Sequence, residues 1–177
     1  MYHMKTKRNV GLVVLLTAAC VGLASREARA RDENQMPAIG KNAMSAITEQ
    51  EIAQARSATA RYHDLAQAEA DGYRSFELYE PGEGFHYIKW SLLDGTFDPA
   101  QPEMLLYSPV PGENRLELAG VEYLVPMSLS PNAPAGFTGD ADRWRNDMEG
   151  FGLWELNTWI WLHNPEGMFA DRNPRVP

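Results

Sequence analysis

The apolar period of the chain changes at Gly72, and that change limits the fold more than any other feature. Before it, in "TEQEIAQARSATARYHDLAQAEADGY", Ile52, Ala55, Thr59, Tyr62, Ala66 and Ala70 recur every three or four residues. That spacing puts one apolar stripe along a helix. Thr48 with Glu51 three places on reads as a capping box, and Asp71-Gly72 as a stop, with Gly72 in the left-handed position after the last turn. The pattern predicts one helix of about six turns, alanine-rich enough to lie close on a sheet. After Gly72 the apolar residues come in short runs bounded by turns, the pattern of strands. "YRSFELY" and "FHYIKW" flank "EPGEG" as a hairpin. "MLLYSPV", "RLELAGVEYLVP" and "FGLWELNTWIWLH" follow. A helix followed by strands predicts an α+β fold, a long N-terminal amphipathic helix on an antiparallel sheet of about five or six strands.

Residues 45–177 are expected to form this single domain, behind a signal peptide (1–30) and a polar leader (31–44). Lys5, Lys7 and Arg8 precede the apolar "GLVVLLTAACVGLA", and Ala28-Arg29-Ala30 offers a small-x-small cleavage site. Together these read as an export signal cleaved near Ala30, for a periplasmic or secreted protein. At roughly 14 residues the run is short of the ~20 that span a bilayer. An uncleaved anchor is one alternative. A lipoprotein signal through Cys20 is another, although "LTAAC" lacks the leucine usual three places upstream. Cleavage moves the formal charge from −8 to about −12, which argues against nucleic acid and anionic membrane surfaces as partners. Cys20 is the only cysteine, so the processed chain has no disulfide.

Standard catalytic and nucleotide-binding fingerprints are absent. "DADRWRND" has a calcium-loop look, but Trp144 stands where an oxygen ligand is needed. Three histidines remain after cleavage: His63 at the edge of the helical stripe, His86 sharing a strand face with Ile88 and Trp90, and His163 ending the last strand. Glu122 depends on register. In one uninterrupted strand it shares a face with Leu118 and Leu124, where a buried carboxylate is costly unless it is paired or metal-bound. A bulge at Gly120 instead puts Val121, Tyr123 and Val125 in the core and turns Glu122 outward. In the last strand, alternation groups Glu155, Asn157, Trp159, Trp161 and His163 on one face, the composition of a ligand wall. The competing reading packs Trp159 and Trp161 beneath the helix. Residues 157 and 163 are about 20 Å apart along a strand, so Asn157 and His163 cannot share a metal. Residues 127–150 have no clear period and are read as a lid or a loop. "NPEGMFADRNP" reads as a closure that docks Met168 and Phe169 over the end of the sheet.

"DGY" at 71–73, "GEGFHYIKWSLLDGTFDPAQPEMLLY" at 82–107, "GVEYLVP" at 120–126 and "WIWLHNPEGMFADRNP" at 159–174 resemble a family of uncharacterised exported bacterial proteins. The resemblance implies export and no particular activity. The family pattern has "LHVWLW" where this chain has "LNTWIW". Asn157 therefore stands in place of a histidine, which weakens a metal site there.

The favoured expectation is an exported domain that binds a small molecule or a metal ion through His86, Glu122, Asn157, His63 and His163, walled by Trp159 and Trp161. A metal held by His86 and Glu122 with N/O ligands would be zinc, copper or nickel. One alternative is a small hydrolase or isomerase using His86 and Glu122 as an acid/base pair. Another is a non-catalytic module whose exposed aromatics form a homo-oligomer or partner interface.

Overall fold

The computed structural model describes residues 45–146 and 150–177. The signal peptide, the cleavage site at Ala30, Cys20 and the leader up to residue 44 lie outside the described residues. The described chain is α+β, with two short helices and a six-stranded antiparallel sheet. The helices are α1 (Ala46–Thr59) and α2 (Leu65–Ala70), joined by a 3-10 turn over Ala60–His63. The strands are β1 (Arg74–Glu80), β2 (Gly84–Ile88), β3 (Met104–Pro109), β4 (Leu116–Pro126), β5 (Arg145–Asn146) and β6 (Leu153–Thr158), in the order β1-β2-β3-β4-β6-β5.

The single six-turn helix is thus corrected to two. The cap of α1 is Ser45, whose hydroxyl accepts from Thr48 N at 3.1 Å. Thr48 and Glu51 are used differently: both bind Thr138, Glu51 taking its backbone N–H and hydroxyl at 2.8 Å each. The break is set by Asp64, extended at φ −90° and ψ 105°, which caps α2 by accepting from Ala66 N. Tyr107 satisfies the interrupted turn, its hydroxyl donating to the Tyr62 carbonyl at 2.6 Å. Gly72 does take the left-handed conformation, at φ 102°.

The helices cover one face of the sheet. Ile52, Ala55, Tyr62 and Ala68 pack on Leu105, Tyr107, Leu118, Val121, Tyr123 and Leu156. The opposite face carries a second core of Ile88, Met104, Leu106, Ala119, Leu124, Trp159 and Val176. β4 is buried from Leu118 to Val125 because both its faces are covered.

Two irregularities shape this second face. In β4, Leu106 pairs with Gly120 and Tyr107 with Leu118, so Ala119 is the extra residue of a bulge. That step places Leu118, Val121 and Tyr123 together on the helix side, as the bulged register predicts. The extruded Ala119 carbonyl accepts from Trp161 N and Leu162 N, at 3.1 and 2.8 Å. It thereby draws the chain off the sheet, and β6 ends at Thr158 rather than running on to His163. In β1 the register slips between Ser75 and Tyr79 with Glu77 at φ 56°. This left-handed conformation is uncommon for a residue with a Cβ.

Residues 127–146 are mostly exposed and are anchored at a few points. Phe137 is buried against Tyr123, Phe97 and Phe169, and Trp154 Nε1 donates to Ser130 O. Met168 and Phe169 pack at the margin of the helix-side core, as the closure reading anticipates.

Candidate functional site

A cavity of about 180 Å³ opens on the second face. Most of its wall is apolar: Phe76 and Leu78 from the β1 irregularity, Ile88 from β2, Trp90 and Leu93 after it, Met104, Leu124, and Phe151 and Leu153 leading into β6. One end is charged. Glu83 in the β1–β2 turn, His86 in β2, Glu122 in β4 and Glu155 in β6 all line it, each 5 % exposed or less.

The sheet register brings these groups together. Glu122 lies opposite Met104 and Asn157, and Leu124 opposite Glu155, so Glu122 and Glu155 sit diagonally on one face of adjacent strands. His86 pairs with Leu106 on the same face. The alternatives for Glu122 are both partly realised. The bulge exists and Glu122 points away from the helices, yet the face it reaches is itself covered, so the carboxylate is buried.

Buried carboxylates need compensation, and Arg145 in β5 supplies it. The guanidinium lies 3.6 Å from Glu83, 3.9 Å from Glu122, 3.5 Å from Glu155 and 3.5 Å from Asp171. Burial works against its charge, but the four carboxylates outweigh that and hold it protonated. These contacts are longer than the 2.7–2.9 Å of a close charge-assisted hydrogen bond, so Arg145 acts as a shared counter-charge and not as a clamp on one partner. Arg172 adds contacts to Glu80 at 3.1 Å and Glu83 at 3.5 Å.

His86 is held at both ring nitrogens. Nδ1 faces the Leu78 carbonyl at 3.4 Å and Nε2 faces Glu83 Oε2 at 3.6 Å. Burial pushes its pKa down, but Glu83, then Glu122 and the Leu78 carbonyl push it up more, and the net shift is upward. Glu83 moves the other way: burial raises it, but His86, Arg145 and Arg172 together bring it below the usual carboxylate range. Each group thus shifts the other toward its charged form, His86 upward and Glu83 downward. The β1 irregularity contributes directly here, since it delivers the Leu78 carbonyl to the ring and the Phe76 and Leu78 side chains to the cavity.

The other expected residues lie elsewhere. Asn157 is buried but serves the C-terminal segment, donating to Asp171 O at 2.6 Å. Trp159 lies in the second core with its indole N–H on Ala170 O. Trp161 is turned to the helix side, where it meets the His63 ring edge-on at 4.4 Å and donates to Thr59. The single wall of Glu155, Asn157, Trp159, Trp161 and His163 is thus corrected: alternation ends with β6 at Thr158. His63 is exposed because the 3-10 turn advances residues by about 120° each against 100° in an α-helix, rotating it off the stripe. His163 is exposed in the loop after β6.

Glu83 and Arg145 were not singled out from the sequence; Glu155 was named there as one residue of the ligand-wall face. Glu83 sits inside a turn that reads as solvent-exposed, and Arg145 in the stretch without a period. Among the described residues, no group of three or more His, Cys, Asp and Glu is arranged to hold a metal ion, and none of their helices is long and apolar enough to cross a membrane. Comparison of the chain with family models, curated proteins and solved structures gave no match.

Proposed function

We propose that this is a small-molecule-binding protein whose ligand occupies the second-face cavity. The observation that carries this reading is the convergence of four deeply buried ionisable side chains at one end of a largely apolar cavity. Apolar walls with a few convergent polar groups are the usual make-up of a ligand site. Dry apolar cavities of about 150 Å³ accept a benzene-sized guest, so this one suits a small ring or short branched chain with a polar head. The export signal read in Met1–Ala30 and the resemblance to exported proteins support a site of action outside the cytoplasm.

The same residues motivate the acid/base alternative, since His86 and Glu122 do line one cavity. The ring orientation favours binding over catalysis: both nitrogens of His86 already face protein acceptors, and a proton carrier needs one turned to its substrate. The interaction-module reading rests on exposed aromatics. The most exposed of these, Trp90 and Phe151, are cavity residues, which ties them to the ligand site.

The test is a thermal-shift screen of small amphiphiles against the wild type and a cavity-filled Leu153→Trp variant. Compounds that stabilise the wild type and not the filled variant are expected. A screen in which the same compounds act equally on both, or in which none acts, overturns the reading.

A further inference from the structure

The cavity wall has a strong charge bias that narrows the ligand class. Glu80, Glu83, Glu122 and Glu155 line it together with His86, and no lysine or arginine does. The arginines that compensate these carboxylates, Arg145 and Arg172, contact them from outside the lining. Even with His86 protonated and Arg145 and Arg172 counted, three positive groups stand against five carboxylates, Glu80, Glu83, Glu122, Glu155 and Asp171. An anionic head group placed there would be repelled at low local dielectric, where unscreened charges interact most strongly.

The second observation lies at the mouth and is independent of the carboxylates. Phe76 meets Trp90 at 5.9 Å with the ring planes at 60°, and meets Phe151 at 5.6 Å with the planes at 73°. Trp90 and Phe151 remain 58 % and 55 % exposed. Phe76, inclined to both Trp90 and Phe151, forms with them an aromatic group on the cavity wall; aromatic ring faces attract alkylated ammonium groups, whose methyl groups fill apolar space.

Resting on the cavity reading above, we infer that the ligand is an organic cation, a substituted ammonium compound of about the size of a phenyl ring plus its head group. The ammonium lies between the Phe76, Trp90 and Phe151 rings and the Glu122 and Glu155 carboxylates. Its hydrocarbon part lies against Ile88, Met104 and Leu124.

Calorimetric titration of the purified chain with three matched probes tests this: benzyltrimethylammonium, its neutral isostere neopentylbenzene, and 3-phenylpropanoate. The cation is expected to bind at least tenfold more tightly than the neutral probe, with no heat from the anion. Glu155→Gln should weaken the cation about tenfold and leave the neutral probe unchanged. Trp90→Ala, at an exposed position where folding is not at stake, should weaken the cation several-fold, with unchanged thermal unfolding as the control. If the neutral probe or the anion binds as well as the cation, the charge inference fails while the cavity reading stands. If none of the three binds, both fall.

Discussion

Glu103 shows how far a single side chain can depart from what its residue type suggests. It precedes β3, where Pro102 spends its carbonyl on the Tyr73 hydroxyl, and its own carboxylate accepts Leu124 N–H at 2.9 Å in place of a ladder bond. Burial, with Asp94 and Asp98 nearby, pushes its pKa up to about 8, against a smaller opposing effect of the Leu124 hydrogen bond. From pH 4.5 to 8 the folded chain therefore holds a proton that the unfolded chain has released. Stability should fall as pH rises through this window, by about 1.4 kcal/mol per unit. His86, also shifted upward, adds a loss in the same direction above pH 6.5. Glu83, shifted downward, loses its contribution only below its ordinary value. Denaturant midpoints at pH 5 and 6.5 thus report on Glu103, with Asp142, also raised by burial, adding in the same direction. Glu103→Gln, whose amide oxygen can still accept from Leu124, should flatten that decline. An unchanged slope in the variant would show that Glu103 is ionised in the folded state.

At the scale of elements, the bulge in β4 decides more than any other backbone feature. It keeps Leu118, Val121 and Tyr123 on the helix side, turns Glu122 to the cavity, and through the Ala119 carbonyl ends β6. Gly120 permits the close approach of the chain leaving β6. A Cβ there would lie 2.9 Å from Thr158 O and 3.2 Å from the Trp159 ring. Gly120→Val should destabilise the fold by about 2–3 kcal/mol through overpacking, read as a lower urea midpoint at unchanged slope. The same variant should disturb the environment of Trp159. The bulge was legible in the sequence as one of two registers, because a glycine inside an apolar alternation marks such a step. The β1 irregularity was not legible: Glu77 carries its left-handed conformation without a glycine to announce it.

At the scale of the molecule, the C-terminal segment closes the second face. Asn173 donates through its backbone to Gly82 O at 2.8 Å and through its side chain to Leu162 O at 3.2 Å. Val176 is buried in the second core, and the Tyr79 hydroxyl reaches the Pro177 carbonyl. Deleting residues 173–177 removes one buried aliphatic side chain and several hydrogen bonds. It should cost about 3 kcal/mol by their usual worth. Hydrogen exchange should quicken at residues 80–84, which the segment holds, and stay slow in α1, which it does not touch. Uniform loss of protection would show that the segment is part of one cooperative unit.

What the sequence determined by itself is what local spacing controls. The 3.6-residue stripe up to Gly72 and the alternating runs after it specify the α+β class, the β1–β2 hairpin and most strand positions, because burying one face depends only on periodicity. His86 and Glu122 could be named as candidates on the same ground. Glu83 meets His86 locally, three residues away, but their convergence with Glu122, Glu155 and Arg145 comes from strands far apart in the chain, brought into register by the β4 bulge and the antiparallel order. The sorting of His63, Trp161 and His163 away from the cavity depends on a 3-10 turn, broken at Asp64 and satisfied by the Tyr107 hydroxyl on Tyr62, and on an early strand end where the Ala119 carbonyl binds residues 161 and 162. Periodicity carries no information about such contacts, so the site itself was decided only by the tertiary structure.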